Sequence, residues 1–248
     1  MNICLFSKEE INTPLSLKDE RGKHIVKILH KKVGDSFTSG IIDGDSGVSV
    51  IKDITDTSII YEFTPNGNGK PLFPLKMIIG FPRPIQLKRL LRDVAALGCS
   101  EVHLTGTELG EKSYLQSNVV KDGNAYKMLL DGTVQAGGTK VPRLFVHETL
   151  RECLEAVSIS NKGCEELKLC LDNIRPVVSL GKEVKNHILN DKQIVAAIGG
   201  ERGWTDKERS LFDKNGYTLC SMGNRIMRTE TAATVAGSII LNELGVLD

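Results

Sequence analysis

The chain has 248 residues, is 40% hydrophobic and 25% charged, and sets 32 Lys and Arg against 31 Asp and Glu for a formal net charge of +1. That length allows one large or two modest domains with a true core, and the composition is that of an ordinary soluble globular protein. It excludes a global polycation of the kind that coats nucleic acid, and apolar runs such as Ile194 to Ile198 or Val235 to Leu241 are far too short to cross a bilayer.

At the N-terminus, Met1 to Leu5 lacks the basic-then-apolar layout of a signal peptide. Arg21, Lys23, Lys27, Lys31 and Lys32, with His24 and His30, then form a local cationic run. Ser36 to Ile42 and Val48 to Ile54 are β-branched segments around Asp43-Gly44-Asp45-Ser46-Gly47, which is hairpin chemistry. Ser58 to Phe63 reads as a further strand. Asn66 to Pro71 breaks all periodicity and is expected to be a linker. Residues 1–70 are therefore expected to form a small β-barrel domain, and residues 71–248 a second domain.

Beyond the linker, strands alternate with helices. Leu75 to Ile79 is a continuous apolar strand, and Gln86 to Leu97 places Leu87, Leu90, Leu91, Val94 and Ala95 at helical spacing, stopped by Gly98. Arg83, Lys88, Arg89 and Arg92 form a second cationic group; either group alone reads as a solvated face, and the two together suit a polyanionic partner. Strands are predicted at Glu101 to Thr105, Leu144 to His147, Leu167 to Leu171, Gln193 to Ile198 and Tyr217 to Cys220. Helices are predicted at Gly123 to Gln135, Leu150 to Val157, Lys182 to Leu189, Asp206 to Lys214 and Glu230 to Glu243. Thr205 with Glu208 makes a capping-box pattern, and Thr229 is expected to cap the last helix. The class is α/β with a mostly parallel sheet, whose ligands sit at the carboxyl ends of strands.

Two Gly-containing loops lie at such ends: Ile198-Gly199-Gly200-Glu201-Arg202-Gly203-Trp204-Thr205, and Ser221-Met222-Gly223-Asn224-Arg225-Ile226-Met227-Arg228-Thr229-Glu230-Thr231. The first lacks both G-x-G-x-x-G spacing and a Walker lysine, so on spacing alone a tight turn and a ligand loop remain equally open. In the second, Ile226 and Met227 can pack on a flat base, and Arg225 and Arg228 suit anion stabilisation, since guanidinium groups cannot act as bases. The six cysteines, Cys4, Cys99, Cys153, Cys164, Cys170 and Cys220, form no C-x-x-C pair; most fall inside apolar segments and are expected to be small buried hydrophobes in a reducing cytoplasm. His24, His30, His103, His147 and His187 show no metal spacing among themselves or with the cysteines. His103 and His147 read as satisfied core residues, and no metal is expected. G-x-S-x-G is absent, and nothing promotes hydrolase chemistry.

These two loops resemble those of the RsmE family, ribosomal RNA small-subunit methyltransferases that act on N3 of a uridine, and the resemblance runs nearly end to end. The family's Gly-Pro-Glu-Gly-Gly-Phe-Ser loop is similar to Gly199 to Thr205 with Glu208, and its Leu-Gly-x-Arg-Ile-Leu-Arg-Thr-Glu-Thr-Ala signature to Met222 to Ala232. Weaker echoes are His24 to Leu29 with Gly34-Asp35, Lys112-Ser113, and Gln135 with Val141-Pro142. The family's Pro and first paired Gly are here Gly200 and Arg202, and Val134, Gly138, His30 and Lys112 replace other family residues.

The resemblance implies an N-terminal PUA-like β-barrel for RNA and a C-terminal SPOUT domain with a deep trefoil knot, including helix Glu230 to Glu243. It implies a homodimer that uses S-adenosylmethionine on 16S ribosomal RNA in the cytoplasm. Its implied cofactor residues are Ile198, Gly199, Gly200, Glu201, Gly203, Ser221, Met222, Gly223, Ile226, Arg228 and Thr229. Arg228, Arg225 and Glu230 are the catalytic candidates, with Glu201 or Glu230 as orienting group or proton acceptor. RNA contacts are expected from Arg21, Lys23, His24, Lys27, Lys31, Lys32, Arg83, Lys88, Arg89 and Lys112. Two rivals stand beside this reading: a related methyltransferase acting on another RNA, and a non-catalytic RNA-binding assembly protein.

Overall fold

The computed structural model describes residues 2–120, 123–160, 165–187 and 193–247. The chain divides into two compact units, Met1–Pro71 with Leu130–Val141, and Leu72–Leu129 with Pro142–Asp248.

The first unit contains β1 (Cys4–Phe6), β2 (Leu15–Ser16), α1 (Glu20–Lys23), a π-helical turn (His24–Ile28), β3 (Ser36–Ile41), β4 (Ser46–Ile54) and β5 (Ser58–Gly67). Its five-stranded sheet has the order β1-β3-β4-β5-β2. Alternation along the strands sends Phe37, Ile51, Ile59 and Tyr61 inward, where they meet Cys4, Phe6 and Ile25. Phe6 and Tyr61 stack at 5.0 Å between ring centroids. The β3–β4 hairpin turns as its residues require, with Asp43 at φ 57°. That turn is latched by the returning segment: the Asp43 N–H donates to the Thr139 carbonyl, Val141 N–H to Asp43 Oδ1 at 2.9 Å, and Thr139 Oγ1 to the Gly44 carbonyl at 2.8 Å. β5 runs through Asn66 and Gly67, where the sequence suggests a linker, because Ser46 to Val48 supply a partner for that stretch.

The second unit contains β6 (Phe73–Gly80), α2 (Pro84–Ala96), β7 (Cys99–Thr105), α3 (Lys112–Leu115), the first half of α4 (Asn124–Gln135), β8 (Arg143–His147), α5 (Leu150–Ser160), β9 (Glu166–Leu171) and β10 (Val178–Ser179). α6 (Leu180–His187), β11 (Gln193–Ile198), α7 (Asp206–Lys214), β12 (Thr218–Ser221) and α8 (Thr229–Glu243) complete it. The sheet order is β10-β12-β9-β11-β6-β7-β8, and every pairing is parallel. The protein is thus a mixed α/β fold. Central strands β6 and β11 are buried along nearly their whole length, which explains their unbroken apolar runs. α2 buries Leu87, Leu90, Leu91 and Val94 and stops at Gly98, φ +80°. The Thr205–Glu208 capping box forms as the sequence predicts. The C-terminal end of the predicted helix Lys182 to Leu189, and Cys164, lie outside the described residues; the other five cysteines are buried free thiols. Among the described residues, no helix is long and apolar enough to cross a membrane.

Candidate functional site

Strands β12, β9 and β11 are neighbours in the sheet, so the three loops that leave their carboxyl ends converge. After β11, Gly199 to Trp204 closes a tight turn in which Gly203 N–H donates to the Gly200 carbonyl at 2.9 Å. A Cβ at Gly199 would stand 2.9 Å from Gly203 Cα, and Gly203 itself has φ +65°. A side chain is shut out at Gly199, and Gly203 takes the left-handed conformation that glycine favours. After β12, the chain turns through Gly223 at φ +101°.

The two loops are tied directly: the Thr229 hydroxyl donates to the Gly199 carbonyl at 3.1 Å. This corrects the expectation that Thr229 caps the last helix. The N-cap is Arg228, which makes no side-chain capping bond, and Thr229 is the buried first helical residue with its hydroxyl turned to the other loop. The third loop, after β9, begins at Asp172. Its carboxylate receives Arg209 Nε at 3.1 Å and Nη2 at 2.9 Å, and the Arg175 N–H at 2.8 Å. Burial pushes the Asp172 pKa up, but the Arg209 hydrogen bonds and the Arg175 N–H outweigh it and hold the group below the usual carboxylate range. Trp204 Nε1 donates to the Leu171 carbonyl at 3.2 Å, joining the β9 and β11 loops.

These loops enclose a cavity of about 300 Å³, at the small end of the range for ligand pockets. Of the residues predicted for cofactor or chemistry, Ile198, Gly199, Gly200, Glu201, Gly203, Met222, Gly223, Arg225, Ile226 and Thr229 line it. Ser221, Arg228 and Glu230 are not part of the lining; Arg228 is exposed and Glu230 is buried. An added Cβ at Gly203 or Gly223 would meet no atom within 4 Å, so both glycines border open space. Ile226 is 85% exposed on the opposite loop, an apolar side chain with no partner of its own. Sequence reasoning placed Trp204 in the first loop without assigning it a role, and missed Asp172, Ile174 and Arg209; the position of Asp172 and Ile174 just beyond a strand's carboxyl end was the available signal.

The predicted cations separate into distinct settings. Arg21 is engaged within the first unit, paired with Glu10 at 2.9 Å and Asp19 at 2.8 Å, and lies over the Phe6 ring. Lys23, Lys27 and Lys32 are exposed, while His24 and Lys31 are half-buried. In the second unit, Arg83 pairs with Glu201 at 3.1 Å and Arg89 with Asp93 at 3.6 Å, and Lys88 is exposed. Lys112 lines a larger cavity of about 540 Å³ beside the carboxyl ends of β6, β7 and β8, with Thr107, Glu148, Arg151 and Lys207.

A family model described as an RNA methyltransferase domain matches residues 68–241. The chain is 42% identical over 246 residues to the ribosomal RNA small subunit methyltransferase E of Treponema pallidum, covering 97% of this chain and 91% of that protein. It is 32% identical over 244 residues to the ribosomal RNA small subunit methyltransferase E 1 of Borreliella burgdorferi, covering 97% of each. Among solved structures, it is similar to the ribosomal RNA small subunit methyltransferase E of Neisseria gonorrhoeae bound to S-adenosyl methionine, with a TM-score of 0.74 at 19% identity over 98% of this chain and 97% of that one. A Legionella pneumophila methyltransferase in complex with SAM gives a TM-score of 0.75 at 19% identity, with the same coverage of 98% and 97%.

Proposed function

The chain belongs to the ribosomal RNA small subunit methyltransferase E family of RNA methyltransferases, and we propose that it methylates N3 of one uridine in 16S ribosomal RNA, using S-adenosylmethionine. The observation that carries this reading is the pairing of two Gly loops across one cavity by the Thr229–Gly199 hydrogen bond. Gly203 and Gly223 leave backbone and open space where side chains would otherwise intrude, which suits a ligand held by its edges. Ile174, Ile198 and Ile226 offer apolar surface to a flat ring. When bound, the cofactor supplies an activated methyl group on a sulfonium.

The chain's own residues then align the acceptor, exclude water and manage one proton. Uracil N3 must lose its proton before the new N–C bond is complete, so negative charge develops on the ring and is discharged as that bond forms. Arg225, the cavity-lining member of the three catalytic candidates, is assigned to stabilise that charge. Glu201, also on the lining and oriented by Arg83 at 3.1 Å, is assigned to accept the proton. Arg228, at the exposed start of α8, is assigned to the RNA backbone.

In the same reading, residues 1–70 are a PUA-like barrel whose Lys23, Lys27, Lys31 and Lys32 hold phosphates, with Lys88, Arg89 and Lys112 adding contacts from residues 71–248. The C-terminal part is a SPOUT domain with a trefoil knot, the enzyme works as a cytoplasmic homodimer, and free buried thiols accord with a reducing compartment. Incubating the purified protein with small ribosomal subunits from a strain lacking it, and mapping the RNA by mass, tests the proposal. A single N3-methyluridine is expected. Methylation of another RNA alone would redirect the reading to the first rival, and no transfer to any RNA would leave the second.

A further inference from the structure

We propose that His103, His147 and Cys153 form a binding site for one zinc-class divalent ion, separate from the methyl-transfer cavity. His103 lies in β7, His147 ends the neighbouring strand β8, and Cys153 sits in the first turn of α5, which follows β8 directly. One ligand atom from each falls within 4.8 Å of the other two. That is two imidazole nitrogens and one sulfur, the mixed donor set that suits zinc and excludes calcium or magnesium.

The three ligand atoms are gathered but not yet in coordinating geometry. His103 Nδ1 and His147 Nε2 face each other at 3.0 Å, a separation that needs one proton between them. Tetrahedral zinc, with Zn–N of about 2.0–2.1 Å and Zn–S of about 2.3 Å, requires N···N of about 3.3 Å and N···S of about 3.6 Å. To exchange their proton for the ion, the two nitrogens must open by about 0.3 Å and turn their electron pairs to a common point, and Cys153 Sγ, within 4.8 Å of both, must close by up to about 1.2 Å.

The ring of His103 is held ready for that exchange. Its Nε2–H donates to Glu101 Oε2 at 3.0 Å, which leaves the Nδ1 electron pair pointing at His147. Phe145 stacks on the same ring at 4.6 Å and 14°. A carboxylate behind a ligating histidine is the usual support for a metal-bound imidazole. Glu101 is itself held by Lys76 Nζ at 3.2 Å and by Arg143. The Cys153 thiol must release its proton to solvent as the Zn–S bond forms. The proton on His147 Nε2 moves to its Nδ1, so each ion bound liberates one proton.

Glu148 to Arg151, which line the 540 Å³ cavity, lie in sequence between His147 and Cys153, so the ion would fix one rim of that cavity. The test uses the full-length protein stripped with chelator and titrated with Co²⁺ alone, then with Zn²⁺. One equivalent of cobalt should give tetrahedral visible bands and a thiolate-to-cobalt charge-transfer band, both erased by zinc. Cys153→Ser should abolish the charge-transfer band, and His147→Asn, at a half-buried position, should weaken cobalt binding at least tenfold. If Cys153→Ser fails to fold, His147→Asn with its thiol intact decides the matter. A wild-type protein without these bands, or bands unaltered in a folded variant, would overturn the site and leave a hydrogen-bonded histidine pair.

Discussion

Replacing Arg209 with methionine removes every guanidinium bond to Asp172 and leaves a carboxylate whose side chain is 1% exposed, held by the backbone N–H groups of Arg175 and Ile174. Removing one partner of a buried ion pair costs about 3–5 kcal/mol, because the survivor stays desolvated without its counter-charge. Against a total stability of about 5–15 kcal/mol, that is a large share. Adding Asp172→Asn neutralises the stranded group while its amide oxygen can still accept from Arg175, so the double variant should lose only about 1–2 kcal/mol. Urea unfolding at neutral pH of the wild type, both single variants and the double variant measures the cycle. Its pH dependence has a fixed sign. The folded Asp172 pKa is depressed, so its contribution is full above the unfolded value of 3.8 and is lost as pH falls through the folded value. The gap between wild type and Arg209→Met should therefore close in acid. A loss below about 1 kcal/mol, or a double variant equal to the sum of the singles, would refute the claim that this buried pair supports the cavity wall.

Gly223→Val places a β-branched residue at φ +101° in open space beside the cavity, so S-adenosylmethionine affinity should fall at least tenfold; calorimetric titration with an unchanged Kd would refute this. Arg225→Ala should lower turnover by about 100-fold with cofactor Kd held within about twofold, because its proposed role arises only as charge develops. Equal losses in both quantities would assign it to binding instead. Because the folded pKa of His103 lies near 4 against 6.5 unfolded, stability should be level above pH 6.5 and fall steadily as pH drops toward 4. A melting temperature that rises over that interval would contradict the burial of a neutral imidazole.

The sequence made the local parts of this molecule legible. β11 and α7 occupy the residues expected of them, Gln193–Ile198 and Asp206–Lys214, because a continuous apolar run marks one and a capping box starts the other. β1, β2, α1 and β10 escaped notice because segments of two to four residues carry no measurable period. The loops of the candidate site were visible as glycine-rich strand ends, but their joining was not. Asp172 and Arg209 meet across 37 residues, Thr229 and Gly199 across 30, and His103 and His147 across 44. Each pair is produced by strand order in a parallel sheet, which local spacing does not encode. Arg21 shows the same limit in the opposite direction: a cation in a basic run whose partner, Glu10, precedes it by 11 residues.

The segment Leu130–Val141 gives the first unit a timetable. A ribosome finishes Met1–Pro71 well before it reaches Thr139 and Val141, so during synthesis the β3–β4 turn must wait for the three bonds at Asp43 and Gly44. The N-terminal unit can mature only after β6, α2 and β7 have been made. For the same reason, a fragment ending at Pro71 should display an open, exchange-labile hairpin tip, and a chimera that exchanges this unit between relatives must carry both stretches of chain.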